Sequence, residues 1–137
     1  MDRFEFCNLM EQAKVSSNIT PSEISFSMRM LLPTLRRFEK GKHNFSMTTV
    51  MEYLQVLHTK MTIYNSSFKN DIFNYEQLVL WVVSERKKSF SQQTLAKAIE
   101  ISRAMLTRVE TQKSNLTIDV FLKIINILGY SVEITKY

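Results

Sequence analysis

The residues best able to do covalent chemistry are few and scattered. One cysteine, Cys7, and two histidines, His43 and His58, stand in a chain of 137 residues. None of them belongs to a CxxC, HExxH or GxSxG arrangement, and no glycine-rich phosphate loop is present. The sequence therefore reads as that of a non-enzyme needing no metal and no cofactor. A lone thiol cannot close an internal disulfide, so Cys7 reads as a small buried apolar group in a reducing, cytoplasmic setting. A different set of polar residues recurs. Displacing the chain by 71 residues brings Leu35, Arg37, Glu39, Lys42 and Asn44 onto Leu106, Arg108, Glu110, Lys113 and Asn115. Arg and Lys held at fixed spacing can bind phosphate. The Arg and Glu of each set can equally form an ion pair or cap within the protein.

The elements that position these residues share the repeat. Under the same displacement Glu5 falls on Glu76, Leu9 on Leu80, Leu57 on Leu128 and Ile63 on Ile134, without a gap. Two Gly and two Pro disfavour a turn-rich β fold, and 45% apolar residues suffice for compact cores. Helical spacing marks residues 4–14 and 75–87, the latter through Tyr75, Leu78, Val79 and Val82. Thr20, Ser91, Ser102 and Thr117 stand where N-caps of following helices belong. Gly129 is a helix stop, after which residues 131–134 alternate like a short strand, as do residues 60–64. The expected architecture is mainly all-α, a first unit at 1–64, a polar linker at 65–74 and a second unit at 75–137. The net charge of +5 is compatible with nucleic acid, and nine of the 18 basic residues fall in each half. No apolar run reaches the ~20 residues that span a bilayer, so no membrane association is expected.

The stretch FSQQTLAKAIEISRAMLTRVETQKSNLTIDVFLKIINILG, residues 90–129, resembles the helix-turn-helix domain of the Cro/repressor, or XRE, family. The shared features are a Gln opening helix 2, Leu-Ala soon after, and a Ser opening helix 3. An Arg-x-Glu ending, a Lys and Asn in the next loop, and a fourth helix closing in Leu-Gly complete the set. The first half is similar more loosely, through ITPSEIS and LRRFEKGKHNFSMTTVMEYLQVL. The resemblance implies tandem lambda-repressor-like units that bind double-stranded DNA and regulate transcription, most simply by repression. It also implies a set of DNA contacts. Arg103, Ala104, Thr107 and Arg108 would face the major groove, where Arg suits guanine and the methyls of Ala and Thr suit thymine. Gln92 and Gln93 would present a helix N-terminus to phosphate, and Lys113, Ser114 and Asn115 would follow the backbone. The first-half equivalents are Arg36, Arg37, Lys42, His43 and Asn44.

Two departures from the family pattern have consequences. Glu100 and Arg29 occupy the turn position where the family usually has Gly, so each turn must be strained or reshaped. In the first half helix 3 opens with Leu31, Leu32 and Pro33 in place of polar residues. That half would bind DNA poorly, or read it by shape and thymine-methyl contact. A further expectation is that the two strand-like segments pair antiparallel into an intramolecular pseudo-dimer that buries Ile63 with Ile134. The competing expectation is an antitoxin-like interaction module, whose apolar patch at Leu31–Pro33 takes a protein partner such as a toxin, or a second copy as a homodimer.

Overall fold

Asp2 accepts a hydrogen bond from the Glu5 amide at 2.9 Å, and Glu5 reaches back to the Asp2 amide, so a capping box starts helix α1, Arg3–Val15. The same device, with Thr20 and Glu23, opens α2, Pro21–Met28, where Pro21 also lacks the amide a first helical turn leaves unused. The computed structural model, which describes residues 1–137, continues with α3 (Leu32–Glu39), α4 (Met47–Val56), β1 (Thr59–Tyr64) and β2 (Lys69–Ile72). Then follow α5 (Tyr75–Ser89), α6 (Gln92–Ala98), α7 (Arg103–Glu110), α8 (Ile118–Leu128) and β3 (Ser131–Lys136). The chain is thus mainly helical with one small antiparallel sheet of order β2-β1-β3. Thr20, Ser91, Ser102 and Thr117 all serve as N-caps through their hydroxyls. Gly129, at φ +80°, ends α8 in the left-handed conformation that glycine adopts without penalty.

A single cluster of 32 buried residues draws on both halves, from Phe6 and Met10 through Leu54 and Met61 to Leu106, Phe121 and Ile124. Cys7 lies in it, and burial pushes its thiol up to about 11. Of the eight methionines, Met10, Met47, Met51 and Met61 fill this core, whereas Met1 and Met105 stay exposed. The halves are also joined by backbone. The Met47 amide donates to Leu116 O at 2.6 Å and the Ile118 amide to Phe45 O at 2.9 Å, flanking a bridge between Ser46 and Thr117. Arg3 adds an ion pair to Asp119 at 2.7 Å, and the Phe6 ring meets Phe121 edge-on.

Strands β1 and β3 pair antiparallel, Thr62 opposite Glu133 at the centre. Ile63 is buried opposite Val132, and Ile134 faces Met61, so the two isoleucines sit on a diagonal and not side by side. An antiparallel pair centred on Thr62 and Glu133 sets residues one step beyond each centre on opposite sides, which displaces the isoleucines from each other. The segment expected as a linker, residues 65–74, contains strand β2. Asn65 accepts from the Ser67 and Phe68 amides, both at 2.8 Å, and so folds the chain back onto β1. Asp71 then takes hydrogen bonds from Lys60 at 2.9 Å and Thr62 at 2.8 Å, which hold its carboxyl below the ordinary carboxylate range. Ile72 is buried there, while Phe68 and Phe73 remain exposed. No helix is long and apolar enough to cross a membrane.

Candidate nucleic-acid interface

The helices α6 and α7 make a helix-turn-helix around Leu95, Ala96, Ile99, Leu106 and Val109, all buried. Between them the Ile101 amide donates to Ala96 O at 3.0 Å, and Glu100 adopts φ +63°. Arg29 does the same between α2 and α3 at φ +54°. The missing glycines therefore leave the turns intact, but each now holds a non-glycine residue in the left-handed region, at a conformational cost of about 1–2 kcal/mol.

With Leu106 and Val109 turned inward, the opposite side of α7 presents Arg103, Ala104, Thr107 and Arg108, all exposed. Arg103 and Ala104 occupy its first turn, and neither is covered by any other part of the chain. Thr107 lies within hydrogen-bond reach of both Arg103 O, at 3.0 Å, and the Gln92 side-chain oxygen, at 3.1 Å. Arg108 curls onto the following loop, its Nε donating to Ser114 Oγ at 2.9 Å and its Nη2 to Lys113 O at 3.2 Å. Those bonds hold the loop that carries the exposed Lys113. Gln93 is exposed at the start of α6, whereas Gln92 is half-buried and donates to Glu110 at 2.8 Å.

Glu110 anchors the far end of α7. Arg86 of α5 grips it twice, Nε to Oε2 at 2.7 Å and Nη2 to Oε1 at 2.9 Å, with both side chains buried. Thus Glu110 pairs with Arg86, and Arg108 is left facing outward. Glu39, at the end of α3, is also buried and takes Lys14 Nζ at 2.9 Å and the Tyr53 hydroxyl at 2.6 Å. Burial, then the hydrogen bond to Glu39, push the Tyr53 phenol well above its ordinary 10, so it remains a donor. Arg86, Lys14 and Tyr53 were not singled out from sequence. The repeated Glu39 and Glu110 were the signal, but Arg86 and Lys14 stand one place out of register with each other under the 71-residue displacement, and so no match marked them.

In the first half Arg36, Arg37, Lys42 and His43 are exposed. Asn44 is exposed too, but its side-chain oxygen accepts the Asp119 amide at 2.9 Å and so caps α8 across the molecule. Asn115 reaches the other way, its oxygen 3.5 Å from the Thr48 hydroxyl. Charge pairing divides the surface further. Eight of the 18 Lys and Arg residues are in ion pairs. All but two of the rest lie in one of two helix pairs or the loop after it: Arg29, Arg36, Arg37 and Lys42 with α2 and α3, Lys97, Arg103, Arg108 and Lys113 with α6 and α7. Cations without carboxylate partners keep their field available to an outside anion.

Residues 85–134 match the family model described as Helix-turn-helix. The second half carries an XRE-type helix-turn-helix domain. The matched span takes in the end of α5, all of α6, α7 and α8, and part of β3. Proteins with this domain are generally DNA-binding and not catalytic. No curated protein and no solved structure matches the chain.

Proposed function

We propose that this chain is a sequence-specific DNA-binding transcriptional regulator, acting as a repressor, that inserts α7 into the major groove. The observation that carries the reading is the open outward face of α7 in the helix-turn-helix domain, bordered by cations that no carboxylate neutralises. Arg103 is the base reader, with its fork suited to guanine O6 and N7, and Ala104 and Thr107 offer methyls to thymine. Gln93, the backbone at the start of α6, and Lys113 contact phosphate. Arg108 acts through the loop it braces, together with Ser114 and Asn115.

We further propose that residues 1–64 and 75–137 are two copies of one unit, forming a covalent pseudo-dimer. Several features that support this recur at the same 71-residue interval. Left-handed residues stand at Arg29 and Glu100, Gly41 and Gln112, and His58 and Gly129. Ser46 bridges Thr117, its displaced equivalent, and Thr62 opposes Glu133, its own. The two backbone bonds flanking the Ser46–Thr117 bridge are equivalents of each other as well. Dimeric repressors present two reading helices about 34 Å apart along DNA, and on this reading α3 and α7 are the corresponding pair.

A second reading, a partner-binding module without DNA affinity, draws on the exposed Phe26 and Leu31. Retention of the intact chain on random-sequence duplex across a salt gradient separates the two. DNA binding predicts affinity that falls steeply with salt, and a Lys113→Ala variant that binds every sequence more weakly with a salt slope lower by about 1. Salt-independent or absent retention defeats the proposal.

A further inference from the structure

The two reading positions differ in chemistry. At the start of α3 Leu31 is 77% exposed and Leu32 36%, with Pro33 exposed beside them. Phe26, 87% exposed near the end of α2, borders with Leu31 a shallow open groove. No side chain among these four can exchange a hydrogen bond with a base edge. Leu31 also leaves α3 without the side-chain cap that Ser102 gives α7.

The surroundings of this patch identify its occupant. Arg29, Arg36, Arg37 and Lys42 flank it in sequence, all are exposed, and none is paired with a carboxylate. Four exposed, unpaired cations close in sequence to an apolar patch complement a polyanion that carries apolar groups between its charges. Duplex DNA has that character in its major groove, where the thymine C5-methyl is the apolar feature and phosphates line both rims. The backbone links across Ser46–Thr117 and β1–β3 tie the half that carries α3 to the half that carries α7.

We infer that α3 enters the major groove and selects A·T pairs by apolar contact of Leu31, Leu32, Pro33 and Phe26 with thymine methyls. The inference rests on the DNA-binding reading above and adds what the first half recognises. The molecule then reads one half-site through hydrogen-bonding edges and the other through methyl groups.

The test uses the intact chain and duplexes selected by it from a random-sequence pool. The half-site whose preference relaxes in Arg103→Ala belongs to α7, and the other belongs to α3. The selected duplex is then remade with deoxyuridine for thymidine in the α3 half alone, which keeps every pairing and hydrogen-bonding atom and removes only methyls. Affinity is expected to fall roughly four-fold for each methyl that had been buried, the worth of one methylene-sized apolar group. A Leu31→Ser, Leu32→Ser variant, changed at exposed positions, is expected to bind the thymidine duplex more weakly and to lose less with uracil than the intact chain does. Unchanged affinity on uracil substitution overturns the inference, as does a variant whose uracil sensitivity equals that of the intact chain. A variant that alters self-association while DNA affinity stays the same assigns the patch to protein contact and also overturns it. A pool from which no sequence is enriched defeats the DNA-binding reading itself, and this inference falls with it.

Discussion

Glu110 is the residue on which the posture of α7 depends. It receives two hydrogen bonds from Arg86 and one from Gln92, and it lies at the C-terminal end of the helix whose first turn is left open. Removing one partner of a buried, bidentate pair leaves the other charged and dehydrated, which costs about 3–5 kcal/mol. Glu110→Ala is therefore expected to lose stability of that order in urea unfolding, and Arg86→Met with Glu110→Leu together to lose much less than the two singles summed. Glu39 depends in the same way on Lys14 and Tyr53. The recurrence of Glu at 39 and 110 was visible in the sequence, and so was the choice between an ion pair and a DNA contact for Arg108. Which cation would meet each Glu was not visible. That depends on how the first helix of each half lies across the third, and a Lys and an Arg of different length solve the same problem from positions one residue out of step.

At the scale of the element, capping chemistry made the helices legible. Thr20, Ser91, Ser102 and Thr117 each have a hydroxyl that satisfies a free amide, and this local bond works wherever the helix is placed in the fold. Strand β2 was not legible, because Lys69, Asn70 and Asp71 show no apolar alternation. It forms because the Asn65 turn delivers it to the open edge of β1, where Lys60 and Thr62 take up Asp71. The turns between α6 and α7 and between α2 and α3 also carry a local conflict, with Glu100 at φ +63° and Arg29 at φ +54°. Glycine removes the left-handed penalty of ~1–2 kcal/mol but adds ~0.5–1 kcal/mol of backbone entropy to be lost on folding. Glu100→Gly is accordingly expected to raise stability by about 0.5–1 kcal/mol in thermal unfolding. Gly41 shows the opposite constraint, since a Cβ there would come within 3.3 Å of the Phe4 backbone.

Over the whole molecule, the two halves share one core and two sets of backbone links, at Ser46–Thr117 and along β1–β3. Residues 75–137 made alone would leave β3 without the strand it pairs with and would uncover Phe121 and Leu116, which meet the first half through Phe6 and Met47. Unpaired strand edges and bared apolar surface drive either self-association or unfolding. That fragment is expected to sediment as a dimer or larger species, or to lose its helical circular dichroism, and a folded monomer would contradict the arrangement. The antiparallel pairing of the terminal strands was foreseeable from their similar sequences. Their register was not, because it depends on where the symmetry centre falls between Thr62 and Glu133.

The central claim is that α7 reads bases, and enrichment of bound duplexes from a random pool tests it most directly when the intact chain and Arg103→Ala are run side by side. The account predicts a defined sequence for the intact chain and, for the variant, lost discrimination at one base pair worth about 1–3 kcal/mol, with the rest of the sequence retained. An identical preference from both proteins, or no preference from either, would contradict it.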